Sequence, residues 1–115
     1  MNEEKYTRLN KYRTMWVLVF FDLPTESKKQ RRAASQFRKK LLKDGFRMFQ
    51  FSIYMRFCAS RENADVHTKR VRASLPEKGH VGILNITDKQ LSMMELFIGQ
   101  KETATKKPSQ QLEMF

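Results

Sequence analysis

Seven consecutive apolar positions, Met15 to Phe21, form the longest hydrophobic run of the chain. Most are β-branched or aromatic, which suits a strand covered on both faces. Asp22 follows the run directly, and Pro24 withholds the amide that a continuing ladder would need, so the most hydrophobic element ends on a single carboxylate. The pattern then changes period. Ser27 and Gln30 have capping-box spacing, and Ala33, Ala34, Phe37, Leu41 and Leu42 recur at helical intervals, which predicts an amphipathic helix over residues 26–43 with Gly45 as its left-handed cap. From Phe46 to Phe57 the alternation predicts one long strand, with Phe49, Phe51, Ile53, Met55 and Phe57 on a buried face and Met48, Gln50, Ser52, Tyr54 and Arg56 on a more polar one.

Ser60 to Asn63 looks like a helix start, and Ala64, His67, Thr68, Val71 and Leu75 give a second amphipathic stripe that Pro76 terminates. After the Lys78-Gly79 turn, Val81 to Thr87 is a predicted strand, Thr87 to Gln90 a loop, and Met93 to Ile98 a further strand ending at Gly99. Residues 101–110 are polar and read as a linker, followed by the short apolar tail Leu112 to Phe115. Residues 1–14 hold no period of 2 or 3.6 and read as a flexible basic arm. The resulting fold class is α+β, a ferredoxin-like βαββαβ sandwich over residues 15–100 with both helices on one face of a four-stranded antiparallel sheet. The uncovered face, expected to mix Gln50, Ser52, Tyr54 and Met48, calls for a second copy of the chain. In that homodimer Leu112, Met114 and Phe115 would add a strand to the partner's edge.

Charge narrows the function. With 23 Lys and Arg against 12 Asp and Glu, the 115-residue chain carries a formal net charge of +11, which points to a polyanion and most simply to nucleic acid. An anionic membrane surface is the competing partner, and no stretch has the length and apolarity of a spanning helix. The single cysteine, Cys58, permits no internal disulfide and has no ligand at metal spacing, so it is expected at a core or strand-end position. With no signal segment at the start, the expected compartment is the reducing cytoplasm. The first helix concentrates the charge: Lys28, Lys29, Arg31, Arg32, Arg38, Lys39, Lys40 and Lys43 stand with only Glu26 and Asp44 nearby. A solvated face ordinarily mixes signs, since like charges one turn apart destabilise a helix. An array without a pocket suits a duplex backbone, with Lys28, Arg31, Arg32, Lys39 and Lys43 the candidate phosphate contacts and no sign of base readout.

Four blocks in order, Val-Phe-Phe-Asp-Leu-Pro-Thr (19–25), Gly-Phe-Arg-Met-Phe-Gln-Phe-Ser-Ile-Tyr (45–54), Leu-Pro-Glu-Lys-Gly-His-Val-Gly-Ile-Leu-Asn-Ile-Thr-Asp-Lys-Gln (75–90) and Phe-Ile-Gly (97–99), resemble the CRISPR-associated adaptation protein two family, the CRISPR-associated endoribonuclease family that partners the CRISPR integrase. The resemblance implies a ferredoxin-like homodimer bridging two integrase dimers and helping to hold the duplex fragment destined to become a spacer. It also implies a magnesium-dependent endonuclease, on RNA or DNA, with the aspartate after the first strand as metal ligand; Asp22 holds that position. The arm before Met15 and the longer linker after Gln100 are less typical of the family.

Across a two-fold axis, Asp22 and its copy can share one Mg²⁺ through waters and act on a phosphodiester. The alternative is that Asp22 caps the turn into the first helix, accepting amide hydrogens of Leu23 to Thr25. His67, on the apolar stripe, suits a satisfied half-buried residue, and His80 starts a strand. Three functions therefore stand open: an assembly subunit that binds duplex DNA and integrase, a stand-alone metal nuclease, and a single-strand RNA-binding module of the same strand order. The last lacks the small Gly or Ala residues of the sheet-borne RNA-binding signature in its aromatic strand.

Overall fold

The computed structural model describes residues 14–99 and 101–102. Along the chain run β1 (Met15–Asp22), α1 (Lys28–Lys43), β2 (Arg47–Gln50), β3 (Ile53–Cys58), α2 (Arg61–Ala73), β4 (His80–Thr87), α3 (Asp88–Ser92) and a hairpin of β5 (Phe97–Ile98) and β6 (Lys101–Glu102). The first four strands form one antiparallel sheet in the order β2-β3-β1-β4, the ferredoxin-like arrangement. The basic arm and the tail with Leu112, Met114 and Phe115 lie outside the described residues.

β1 is central and pairs on both sides, from Met15↔Cys58 to Phe20↔Ile53 with β3 and from Met15↔Thr87 to Asp22↔His80 with β4. Its odd positions, Met15, Val17, Val19 and Phe21, pack under Phe37 and Leu41 of α1 and Ala64 and Val71 of α2. Phe21 meets Phe37 edge-on at 5.5 Å between centroids. Its even positions Trp16 and Leu18 cluster with Met55, Phe49 and Leu91 on the opposite face. α3 is seated there, its Asp88 Oδ1 accepting the Trp16 indole N–H at 2.8 Å.

α1 begins at Ser27, whose hydroxyl accepts the Gln30 amide while Gln30 returns the bond to the Ser27 amide, so the anticipated capping box is present. At the other end Gly45 N–H donates to Leu42 and Phe46 N–H to Leu41, a Schellman closure in which Gly45 holds φ of +91°. α2 is capped by Ser60 and stops at Ala73, before Pro76, leaving Leu75 exposed rather than on the core stripe.

The structure corrects the reading of residues 46–57. They form a hairpin, not one strand, with the turn at Phe51-Ser52 and an irregular register between Met48 and Gln50. The two-residue turn returns the chain in the same parity, so alternation runs on through it as though the strand were continuous. Met48 and Tyr54 face the helices, and Ile53, Met55 and Phe57 take the other face, while Phe51 is 70% exposed. The uncovered face is therefore not a mixture of Gln50, Ser52, Tyr54 and Met48; its exposed members are Phe20, Phe57 and Leu84 beside buried Trp16 and Leu18. The segment after β4 is corrected as well. Thr87 and Gln90 form a second capping box, so the expected loop is the start of α3. Of the strand expected over residues 93–98 only Phe97 and Ile98 are extended, and they pair with β6 rather than joining the sheet.

Asp44 closes the fold at the end of α1. Its carbonyl accepts Arg56 Nε of β3 at 2.7 Å, and its carboxylate accepts His67 Nδ1–H and Arg70 Nη1, each at 2.8 Å, from α2. His67 is satisfied as anticipated from its stripe but is fully buried, at 4% exposed, rather than half-buried, and Cys58 is buried at the end of β3 as expected. Burial is the largest single influence on the Asp44 carboxyl and pushes its pKa up. The hydrogen bonds and positive charge of His67 and Arg70 together outweigh it and leave the pKa below the ordinary 3.8. Because the folded value is the lower one, the carboxylate's contribution is complete above 3.8 and is lost as pH falls through the folded value. Asp44→Ala should strand the buried His67 N–H and cost about 1–3 kcal/mol. Urea denaturation at neutral pH checks this, and the difference from the native chain should shrink below pH 3.8. A difference that persists unchanged into acid would show that the carboxylate is not its source.

Candidate nucleic-acid interface and strand-end carboxylate

On α1 the buried residues Ala34, Phe37 and Leu41 fix the inward direction. Lys28, Lys39 and Lys43, with Arg32, are exposed and separated by four, seven and four residues, so they form one line directly opposite the core, running about 22 Å along the axis. Arg31 and Arg38, seven apart, lie on one flank. Arg31 is held by Nη1 donating to the carbonyls of Thr25 and Glu26, at 3.1 and 3.2 Å. Among the described residues both ion pairs end on Asp44, so none of the eight α1 cations is neutralised by a carboxylate. The predicted stripe is thus a surface of uncompensated charge. Lys40 and Lys43 also line a basin of about 500 Å³ with Asp44 and Arg70, where Asp44 offsets part of the charge.

Asp22 is exposed at the end of β1, directly across from His80, which is exposed on β4. Parity places both on the sheet face away from the helices, the face of Trp16, Leu18 and Phe20. The turn-cap alternative is not what forms: Ser27 caps α1, and among the described residues the Asp22 carboxylate accepts no hydrogen bond. Leu23 and Pro24 leave the sheet and line a slot of about 190 Å³ against Ala33, Ala34 and Pro76.

In the sequence Gly79 is marked only as a turn residue. It holds φ of +104°, and a Cβ there would lie 2.8 Å from the Asp22 carbonyl oxygen and 2.8 Å from Leu23 Cδ2. Its hydrogen lets the α2–β4 loop press on the backbone that presents Asp22. The second miss is the pairing of Arg38 with Phe51, whose alternation suggested burial. No group of three or more His, Cys, Asp or Glu capable of holding a metal occurs among the described residues. A hard-oxygen donor set for Mg²⁺ is begun by Asp22 but not completed within one chain.

Residues 15–94 match the family described as CRISPR associated protein Cas2. The chain belongs to that family. The Cas2 match ends at Met94, just after α3, so the β5–β6 hairpin lies beyond it. A protein of Flavobacterium psychrophilum named CRISPR-associated endoribonuclease Cas2 is 70% identical over 115 residues, all of both chains. One of the same name from Parvibaculum lavamentivorans is 48% identical over 101 residues, 88% of this chain and all of the relative. Another from Paracidovorax avenae is 42% identical over 107 residues, 93% and 99% of the two chains. The N-terminal arm and C-terminal linker, expected to be less typical of Cas2 proteins, thus have counterparts in the Flavobacterium relative.

The contact at Gly79 generates a prediction. Gly79→Ala should destabilise the chain by more than about 1 kcal/mol and shift the backbone amide resonances of Asp22 and Leu23. Thermal melting and an amide NMR spectrum check it. Native stability with unmoved Asp22 and Leu23 signals would mean that the loop does not support the strand end.

Proposed function

We propose that the chain acts in CRISPR spacer acquisition as a homodimer that bridges two dimers of the CRISPR integrase and holds the duplex DNA destined to become a spacer, without reading its sequence. The observation that carries this reading is the line of Lys28, Arg32, Lys39 and Lys43, exposed and without carboxylate partners among the described residues. Duplex affinity comes largely from neutralising phosphates and needs cations spread over a surface, not a pocket. Membership of the Cas2 family supports the CRISPR setting. A second copy is favoured by the apolar sheet face, where Phe20, Phe57 and Leu84 stay 38%, 48% and 48% exposed beside the Trp16–Phe57 ring pair. An aliphatic and aromatic face of this kind gains by excluding water against an equal surface.

A second reading is a metal-dependent endonuclease at Asp22. It is favoured by an exposed carboxylate without hydrogen-bond partners among the described residues, and by relatives named endoribonucleases. Asp22 lies on the face that a second copy would cover, so two-fold pairing brings two carboxylates toward the axis. A Mg²⁺ held there supplies Lewis acidity toward a phosphodiester. The chain's own contribution is the fixed strand end and the Gly79 loop pressed against it.

Salt-dependent duplex binding and Mg²⁺-dependent cleavage of RNA and DNA, measured side by side with and without the integrase encoded beside the gene, separate the two. Binding by wild type should weaken steeply with salt, and K28A/K39A should lower the slope of log K on log salt by about 2. Asp22→Asn should leave this binding unchanged if the bridging role is the main one. Cleavage by the isolated chain that disappears in Asp22→Asn would establish the nuclease instead. Binding indifferent to salt and to the lysines would overturn the first reading.

A further inference from the structure

Phe51 stands at the turn between β2 and β3 with 70% of its surface in water. It is not a loose side chain. The Arg38 guanidinium lies over it at 4.4 Å from the ring centroid, and the same guanidinium is 5.4 Å from the centroid of Phe21 in the core. Among the described residues Arg38 Nε is buried without a hydrogen-bond partner and no carboxylate pairs with the guanidinium, so two aromatic rings hold this cation in place. One face of Phe51 is backed by positive charge and the rest of the ring is open.

The position of this stack relative to the rest of the surface decides what it suits. Phe21 N–H donates to the Ser52 carbonyl at 3.0 Å, which ties the turn to the strand residue that precedes Asp22. Phe21 belongs to the helix-covered face, so the Arg38–Phe51 stack lies on the helix side of the sheet end, clear of the Phe20, Phe57 and Leu84 face assigned to a second copy. Arg31 continues the same flank of α1 one heptad earlier. A flat, exposed π-face backed by a guanidinium, at the margin of a basic helix, matches the needs of an unpaired nucleobase: stacking on the ring and attraction of the adjoining phosphate to the cation. Double-stranded DNA, whose bases are stacked on one another, has no use for such a ring except where its strands part.

We infer that Phe51, backed by Arg38, is a stacking site for an unpaired nucleobase at the end of a duplex or in a single strand, on the helix side of the sheet end where β1 stops. This rests on the nucleic-acid reading of α1 given above. The test uses the full-length chain with blunt duplexes and duplexes carrying short single-stranded tails, with 2-aminopurine placed at successive tail positions. Wild type should bind the tailed duplex roughly tenfold more tightly than the blunt one and quench one tail position above the others. In Phe51→Ala the ratio of tailed to blunt affinity should fall to about one and the quenching should vanish, with Phe51→Tyr restoring both. Circular dichroism melting verifies that Phe51→Ala is folded, as an exposed turn residue allows.

If wild type binds duplex with the expected salt dependence but ignores tails, or if Phe51→Ala keeps the wild-type ratio, the stacking site is overturned while the duplex-holding reading stands. A chain that binds neither probe overturns both. Loss of integrase association in Phe51→Ala with the tail preference intact would assign the ring to a protein contact and overturn the inference as well.

Discussion

The fold closes on a single residue. Asp44 ends α1 with its backbone, ties β3 through Arg56 with its carbonyl, and holds α2 through His67 and Arg70 with its carboxylate. Each bond is ordinary, but they converge from three elements, and two of the donors sit where water competes poorly. The adjoining Gly45 makes the convergence possible: a Cβ at that position would approach Arg56 Nε at 3.0 Å, so a side chain there would push away the guanidinium that reaches the Asp44 carbonyl. Helices over one face of a sheet otherwise slide on apolar contacts, which have little directionality. Polar fixation at one end sets how α1 lies across the strands, and with it where the line of cations points.

The division of labour between the two sheet faces follows from β1. Because it is the inner strand and apolar at every position from Met15 to Phe21, it demands cover on both sides. α1 and α2 supply one cover, and α3 with Met94 and Leu96 supplies part of the other. What is left uncovered is the Phe20 and Leu84 end, where the strand also delivers Asp22. The line of α1 cations and the exposed apolar patch are thereby kept on opposite sides of the molecule.

Much of this was legible in the residues. The β1 run, the Ser27 capping box and the Phe37 stripe each reported a local preference that tertiary packing then agreed with. The hairpin of residues 46–57 was hidden because alternation continues through Phe51 and Ser52 as if no turn intervened, and no Gly, Pro, Asn or Asp marks the break. α3 was hidden for another reason. Its Thr87-to-Gln90 box was visible, but a five-residue helix is too short to show a period. Asp22 could be placed at a strand end from sequence alone, whereas the need for Gly79 against its carbonyl is a contact across 57 positions that no local pattern encodes. The Arg38 and Phe51 pairing was likewise out of reach, since it required knowing that the ring had left the core.

The topology of β1 also bears on how the protein is made. Its two neighbours are both later in the chain, and the Trp16–Asp88 bond closes a separation of 72 residues. At translation rates of roughly 5–20 residues per second, the most apolar segment therefore waits on the order of 4–14 s for β4 to be synthesised. β3 is complete before β4, so until β4 is made the edge of β1 that it covers in the finished sheet has no partner strand. The polar residues ahead of Met15 and the densely charged helix behind it flank that exposed strand during its wait, and like-charged flanks keep two nascent copies from joining edge to edge before the correct strand appears.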